Sequence, residues 1–257
     1  MIFSKNRAEP SKKDLERILT FTEPDNNVRN TVLDLYDSLT DIKKKYFNHL
    51  NPLTNKRKDG MIIYTNHKKN SKLKINGWKS KPIDTNYSVH DKKGKQKIED
   101  LLYKNGAVEV DAKTGNVKSY HRQIQVDPAK IAMKYGLIGE GEELSSELIG
   151  FDEQIRKKKA KKSYEGIGTR HHTAIAATGV DPHLYVLVLS RDTGVITIMK
   201  NYAILFSAIP TEIHPAYNIY LSKKYSDETP VLLRKDNNPI LEELFSPKIF
   251  KGINYFP

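Results

Sequence analysis

Leu184-Tyr185-Val186-Leu187-Val188-Leu189 is an unbroken apolar run, and the turn residues Ser190-Arg191-Asp192-Thr193-Gly194 separate it from a second apolar segment, Val195 to Met199. A half-exposed strand alternates apolar and polar residues. A continuous run of this length is expected for a strand covered on both faces. The chain therefore has to place other elements above and below a sheet, which points to an α/β fold with a central, mixed sheet flanked by helices.

Elements that could cover the sheet are visible upstream. Asp25-Asn26-Asn27 could cap a helix on which Val28, Val32, Leu33, Leu35, Tyr36 and Leu39 recur at helical spacing, continuing through Ile42, Tyr46, Phe47 and Leu50. Such a stripe reads as core or dimer contact. Residues 51–94 hold Pro52, Gly60, Gly77, Pro82 and Gly94 among charges and read as loops around short strands such as Met61 to Tyr64. Trp78 in this stretch reads as a half-buried packing residue, with stacking on a base as the alternative. A helix from about Gln96 to Tyr103 then leads into Asn105, a strand running to Asp111, a turn at Lys113-Thr114-Gly115-Asn116 and a returning strand, Val117 to Tyr120.

Asp127-Pro128 starts a helix through Tyr135, and Gly136 to Gly141 breaks it. Glu142 to Lys159 is acidic and then basic, and reads as an insertion beside a pocket. Beyond residue 200, Ala203 to Phe206 continues an apolar element, Ile213, Tyr217, Ile219 and Tyr220 could form a strand, and Ile240 to Phe245 a short helix. The aromatic tail Phe250, Tyr255, Phe256 reads as docked. These divisions give a helical and loop region at 1–94, a core at 95–200 with a basic insertion near 140–165, and an extension at 201–257.

The segment with the most chemistry is Gly168-Thr169-Arg170-His171-His172, followed by the small residues Thr173 to Ala177. A glycine leaves room for close approach, Thr169 brings a hydroxyl, Arg170 a planar fork of donors matched to phosphate oxygens, and two imidazoles follow. If a helix starts here, its first N–H groups and positive dipole end face an anion. The plainer reading is a polar helix start, with Thr169 as a cap and the other side chains in solvent.

Asn105-Gly106-Ala107, Gly168-Thr169-Arg170-His171 and the strand ending in Ser190-Arg191-Asp192-Thr193-Gly194, in this order, resemble the diadenylate cyclase domain family over roughly residues 95–200. That family reads Asp-Gly-Ala, Gly-Thr-Arg-His-Arg and Ser-Glu-Glu-x-Gly at these places. The resemblance implies a diadenylate-cyclase-like fold and an adenine-nucleotide pocket between the first two segments. Asn105 would bond a ribose or base, Gly106 would allow close backbone approach beside Ala107, Thr169, Arg170 and His171 would hold phosphates with His172 beside them, and Asp192 would orient one of these groups or touch a metal.

Three departures bear on activity. Asn105 stands where the family has its metal-binding and proton-accepting aspartate, His172 replaces the second arginine, and Arg191 replaces the first acid. Phosphate recognition is partly kept while catalysis is weakened, as in diverged sensor-like relatives. The expected function is thus a sensor that binds an adenine nucleotide or cyclic dinucleotide. An active cyclase making cyclic di-AMP from two ATP, with magnesium or manganese and two facing protomers, stands as the alternative, with Glu109, Asp111 or Asp192 supplying the missing carboxylate. A sensor would report to a separate effector protein.

Forty-three Lys plus Arg against 31 Asp plus Glu leave +12, enough to attract nucleic acid at low salt, which is a third reading. The excess lies in runs such as Lys43-Lys44-Lys45 and Arg156 to Lys162, which read as solvated faces; the second run could instead form a basic lid over phosphates. No cysteine is present, so thiolate metal sites and disulfides play no part. No apolar run reaches the ~20 residues of a membrane helix and the start lacks a secretory-type apolar segment, so a cytoplasmic protein is expected.

Overall fold

The computed structural model describes residues 9–47, 61–66, 73–77, 83, 87–102, 104, 106–160, 167–218 and 220–221. Seven strands form one mixed sheet: β1 (Met61–Asn66), β2 (Lys74–Gly77), β3 (Ala107–Asp111), β4 (Val117–Gln125), β5 (Tyr185–Leu189), β6 (Ile196–Lys200) and β7 (Ala203–Ser207). Their order is β2-β4-β3-β1-β5-β6-β7. Only β1 and β3 run parallel; the remaining neighbours are antiparallel. The expected α/β class is what the chain adopts.

All five residues of β5, β6 and β7 are buried. Alternation along β5 explains this. Tyr185, Leu187 and Leu189 enter one apolar cluster with Leu15, Ile18, Val28, Val32 and Leu35 of two helices, α1 (Lys12–Thr22) and α2 (Asn26–Phe47). Val186 and Val188 point the other way, into a cluster with Ala132 of α4 (Pro128–Lys134) and Ala174 to Ala177 of α6 (Thr169–Val180). Each of the valine, leucine and isoleucine side chains contributes roughly 1.5–3 kcal/mol by leaving water.

The helix starts follow local chemistry. Ser11 and Asp14 cap α1 reciprocally, the Asp25 carboxylate accepts from the Asn27 amide (2.9 Å) at the head of α2, and Asp127 accepts from Ala129 and Lys130 before α4, with Pro128 in its first turn. α3 spans Lys92–Asp100 and is capped by Asp91, so it begins four residues before the expected Gln96. The carboxylate of Asp91 accepts from the Gly94 amide, which sets that start.

Two expected elements differ. The returning strand β4 extends to Gln125 because β2 pairs with its far half. The expected strand around Ile213 to Tyr220 is instead a 3-10 turn, Pro210–Glu212, and a short helix, α7 (Pro215–Asn218). Proline starts each of them with its fixed φ, and Ile213 and Tyr217 pack into the α1–α2 side of the core from these turns.

The stretch 127–160 is closely tied to the sheet. Its helix α5 (Glu153–Ala160) carries Arg156, which is fully buried. Arg156 donates to both oxygens of Glu212 (Nη2 to Oε2 2.7 Å) and to Thr197 Oγ1 (3.0 Å), and its guanidinium lies 4.7 Å from the Phe151 ring centroid. Lys157 pairs with Glu153, and Lys159 with Glu9 and the Ala208 carbonyl. The first half of the basic run is therefore a helix docked through Arg156 and Lys159, with Lys157 and Lys158 on its solvated face. Trp78, Leu50, Ile240 to Phe245 and the aromatic tail lie outside the described residues.

Candidate functional site

Helix α6 has 12 residues, a rise of about 18 Å at 1.5 Å per residue, and β5 with its flanks is of similar length at about 3.4 Å per residue. A tight turn joins them, in which Asp181 caps α6 and accepts from the Leu184 amide (3.0 Å). Two elements of matched length joined at one end meet again at the other. The start of α6 is accordingly returned to the end of β5.

A cavity of about 340 Å³ lies at that meeting, lined by Gly168, Thr169, Arg170 and His171 on one side and by Val188, Leu189, Ser190, Arg191 and Asp192 on the other. The expected Gly168-to-His171 segment and Asp192 are thus brought together. Sequence reasoning had no role for Arg191 in binding, because it was noted only as a departure; its place in the turn after a buried strand was the available signal.

No side chain caps α6 at Gly168, whose φ of −68° is ordinary. A Cβ built there meets nothing within 4 Å. The protein's own backbone and packing, among the described residues, do not require this glycine. Arg170 is half-buried and forms no ion pair among the described residues.

His171 enters the cavity as a buried ring. Its ring is 5% exposed, stands edge-on to Phe151 at 5.3 Å between centroids, and has no hydrogen-bond partner for either nitrogen among the described residues. Burial first, then the positive charges of Arg156, His172 and Arg170, hold its imidazole well below the ordinary range. It is a neutral donor and acceptor at the floor of the cavity. His172 lies outside the lining, and burial lowers its imidazole too.

The opposite wall is a rigid hairpin turn. The Ser190 amide donates to the Val195 carbonyl and the Ser190 carbonyl accepts from Gly194 (both 2.9 Å), while the Ser190 hydroxyl accepts from the Thr193 amide (3.4 Å). Gly194 closes it at φ 65°, and Thr193 Oγ1 accepts from the Val195 amide. The other Thr-Gly turn, Asp111 to Asn116, is built alike: Asp111 accepts from Gly115, Thr114 Oγ1 accepts from Asn116, and Gly115 has φ 68°. Ser190, Thr193 and Gly194 therefore make the turn. Arg191 and Asp192 are its variable, exposed pair, joined at 3.2 Å.

Asn105 lies outside the described residues. Its neighbours Gly106 and Ala107 are at the same end of the sheet, since Ile62 of β1 pairs with Ala107 on one side and Val188 on the other, a span of about 10 Å. Neither lines the cavity. Ala107 is buried in the α6-side core, and Gly106, at φ 92°, serves the fold: a Cβ there would sit 2.8 Å from the His121 carbonyl carbon. The close approach it permits is that of β4, which bulges at His121 (φ 59°).

The other acids are engaged. Glu109 accepts from the Ser119 hydroxyl (2.7 Å), which also accepts from Arg122 Nε (2.8 Å). Asp111 accepts from the Lys113 and Thr114 amides at the far end of β3; although burial raises its carboxyl, these bonds keep it below the ordinary range. Among the described residues no group of three or more His, Asp or Glu is placed to hold a metal ion. Asp192 alone, already paired with a guanidinium, is a poor donor set for magnesium or manganese.

No family model matches this sequence, and no curated protein matches it. A solved structure described as a hypothetical membrane spanning protein from Bacillus cereus is similar at 15% identity and a TM-score of 0.38, over 67% of this chain and 60% of that one. The chain thus spans less than two thirds of that protein, and a likeness this low leaves the functional reading to the residues. Among the described residues no helix is long and apolar enough to cross a membrane.

Proposed function

We propose that this protein binds a nucleotide through the cavity between α6 and the β5–β6 turn, as a sensor of an adenine nucleotide or cyclic dinucleotide with a diadenylate-cyclase-like fold. The observation that carries the reading is the convergence of an uncapped helix start, Arg170 and a second guanidinium, Arg191, on one cavity large enough for a phosphorylated ligand. The adenine part rests on the resemblance of Gly168-Thr169-Arg170-His171 and its neighbouring segments to the cyclase family. Binding is favoured over catalysis because Asn105 is an amide, Glu109 and Asp111 are held in other bonds, and Arg191 places a cation where the family has an acid.

A polyanion-binding role draws less support. Lys12, Lys43, Lys45, Lys95 and Lys159 each pair with a carboxylate, and they are spread over four helices.

The test uses the full chain and Arg170→Ala with ATP and manganese, following cyclic di-AMP by mass spectrometry and recording thermal shifts with ATP and with cyclic di-AMP. A shift without product, lost in Arg170→Ala, is expected. Arg170-dependent product would make the protein an active cyclase with a metal requirement. Absence of both signals would move the nucleic-acid reading forward, where affinity falls steeply with salt and ignores Arg170.

A further inference from the structure

The cavity has an unequal charge balance that the nucleotide reading does not by itself use. Arg170 lines one wall from α6 and Arg191 the other from the β5–β6 turn, and the helix start adds positive potential. Against them, among the described residues, stands one carboxylate, Asp192, which is bonded to Arg191 with both side chains about half exposed. The hairpin needs neither residue, because the sister turn closes with Ala112 and Lys113 at the same two places. At the floor, His171 is nine-tenths buried and leaves both nitrogens without partners among the described residues.

A divalent cation entering this cavity would meet two guanidiniums, one of which already holds Asp192. A phosphate group would meet the reverse situation. It can take over Arg191 from Asp192, since a bidentate bond from a guanidinium to a phosphate is stronger than an exposed ion pair.

Resting on the reading above, we infer that the cavity takes a phosphoanhydride or phosphodiester ligand free of divalent metal, clamped between Arg170 and Arg191. Asp192 is the counter-ion the ligand displaces, and the His171 ring bonds the deepest part of the ligand. Arg191 then determines specificity: it selects the metal-free anion over its magnesium complex.

Calorimetric titration of the full chain with inorganic pyrophosphate and with ATP, each in EDTA and in excess magnesium, tests this. Pyrophosphate is expected to bind in EDTA and to weaken in magnesium. Arg191→Gln should lower affinity about tenfold or more with an unchanged melting temperature, and Asp192→Asn should raise it severalfold, as a competing counter-ion is removed. Binding that requires magnesium, or an Arg191→Gln protein that binds as well as wild type, overturns the inference. Pyrophosphate binding through both arginines with no response to ATP or cyclic di-AMP would sustain it and defeat the nucleotide reading. ATP binding through Arg170 only in magnesium would do the opposite.

Discussion

Two glycines at the site end of the sheet separate structural from functional demand. Gly106 holds φ 92° with the β4 backbone 2.8 Å from where a Cβ would be, whereas Gly168 is at φ −68° beside open space. Gly106→Ala should therefore lower stability by about 1–3 kcal/mol, measured by chemical denaturation. Gly168→Ala should cost at most about 1 kcal/mol, the difference between glycine and alanine as an N-cap. It should nonetheless weaken nucleotide binding, because a methyl group would stand at the exposed helix start; equal binding by this variant would show that the ligand does not approach there. Gly179 belongs with Gly106, since a Cβ there would lie 2.7 Å from the Tyr202 ring. Tyr202 and Asn201 both hold positive φ in the two-residue β6–β7 turn, and Tyr202 is fixed there by its ring contact with Tyr135 and by the hydrogen bond its backbone N–H donates to Thr178 Oγ1.

Among the elements, α5 decides how firmly the cavity is backed. Its Arg156 reaches through the α6 side of the core to Glu212, whose Oε2 also accepts from the Ser207 hydroxyl (2.6 Å). Arg156 lies against the same Phe151 ring that His171 meets edge-on, so α5, the floor of the cavity and β6–β7 form one packed unit. Arg156→Met leaves the buried Glu212 without its counter-ion and should destabilise the protein by about 3–5 kcal/mol; the double variant with Glu212→Gln should recover part of this. A double variant no more stable than the single one, in equilibrium unfolding, would show that the pair is not the link. At the opposite end of the sheet a second buried group ties α1 to β5 and β6. Glu23 accepts from Tyr185 Oη (2.8 Å) and Lys200 Nζ (3.0 Å); burial raises its carboxyl, yet Lys200 and Tyr185 together hold it below the ordinary range.

For the molecule as a whole, the buried histidines set a direction for pH. Burial lowers His214 to about 3, and burial with nearby positive charge lowers His171 well below its ordinary value. An imidazole depressed in the folded state stays neutral while the unfolded chain takes up protons below about pH 6.5. Stability is therefore complete above that pH and falls as pH drops, with His214 alone removing on the order of 1 kcal/mol per unit down to about pH 3. Thermal melts between pH 8 and 4 should show this decline, and His214→Gln should flatten it. A melting temperature that is level across the range in wild type would contradict the neutral, buried assignment of these rings.

Leu184 to Leu189, with turn residues behind it, was enough to call for a sheet covered on both faces, and Asp25 and Asp127 marked helix starts by local hydrogen-bond chemistry. These signals are local, so one chain segment carries them whole. The Gly168-to-His171 site was legible for the same reason: its glycine, arginine and helix start are adjacent in sequence. What adjacency cannot carry was decided by the tertiary structure. Arg191 joins Arg170 only because α6 and β5 match in length, Gly106 turned out to serve β4, and the His171 ring is kept neutral by burial against Phe151 and by the charge of Arg156. The pairing of β1 with β5 likewise joins segments more than a hundred residues apart. Side-chain type is written in the sequence, but charge state, exposure and partners arise only when distant segments exclude water from one another.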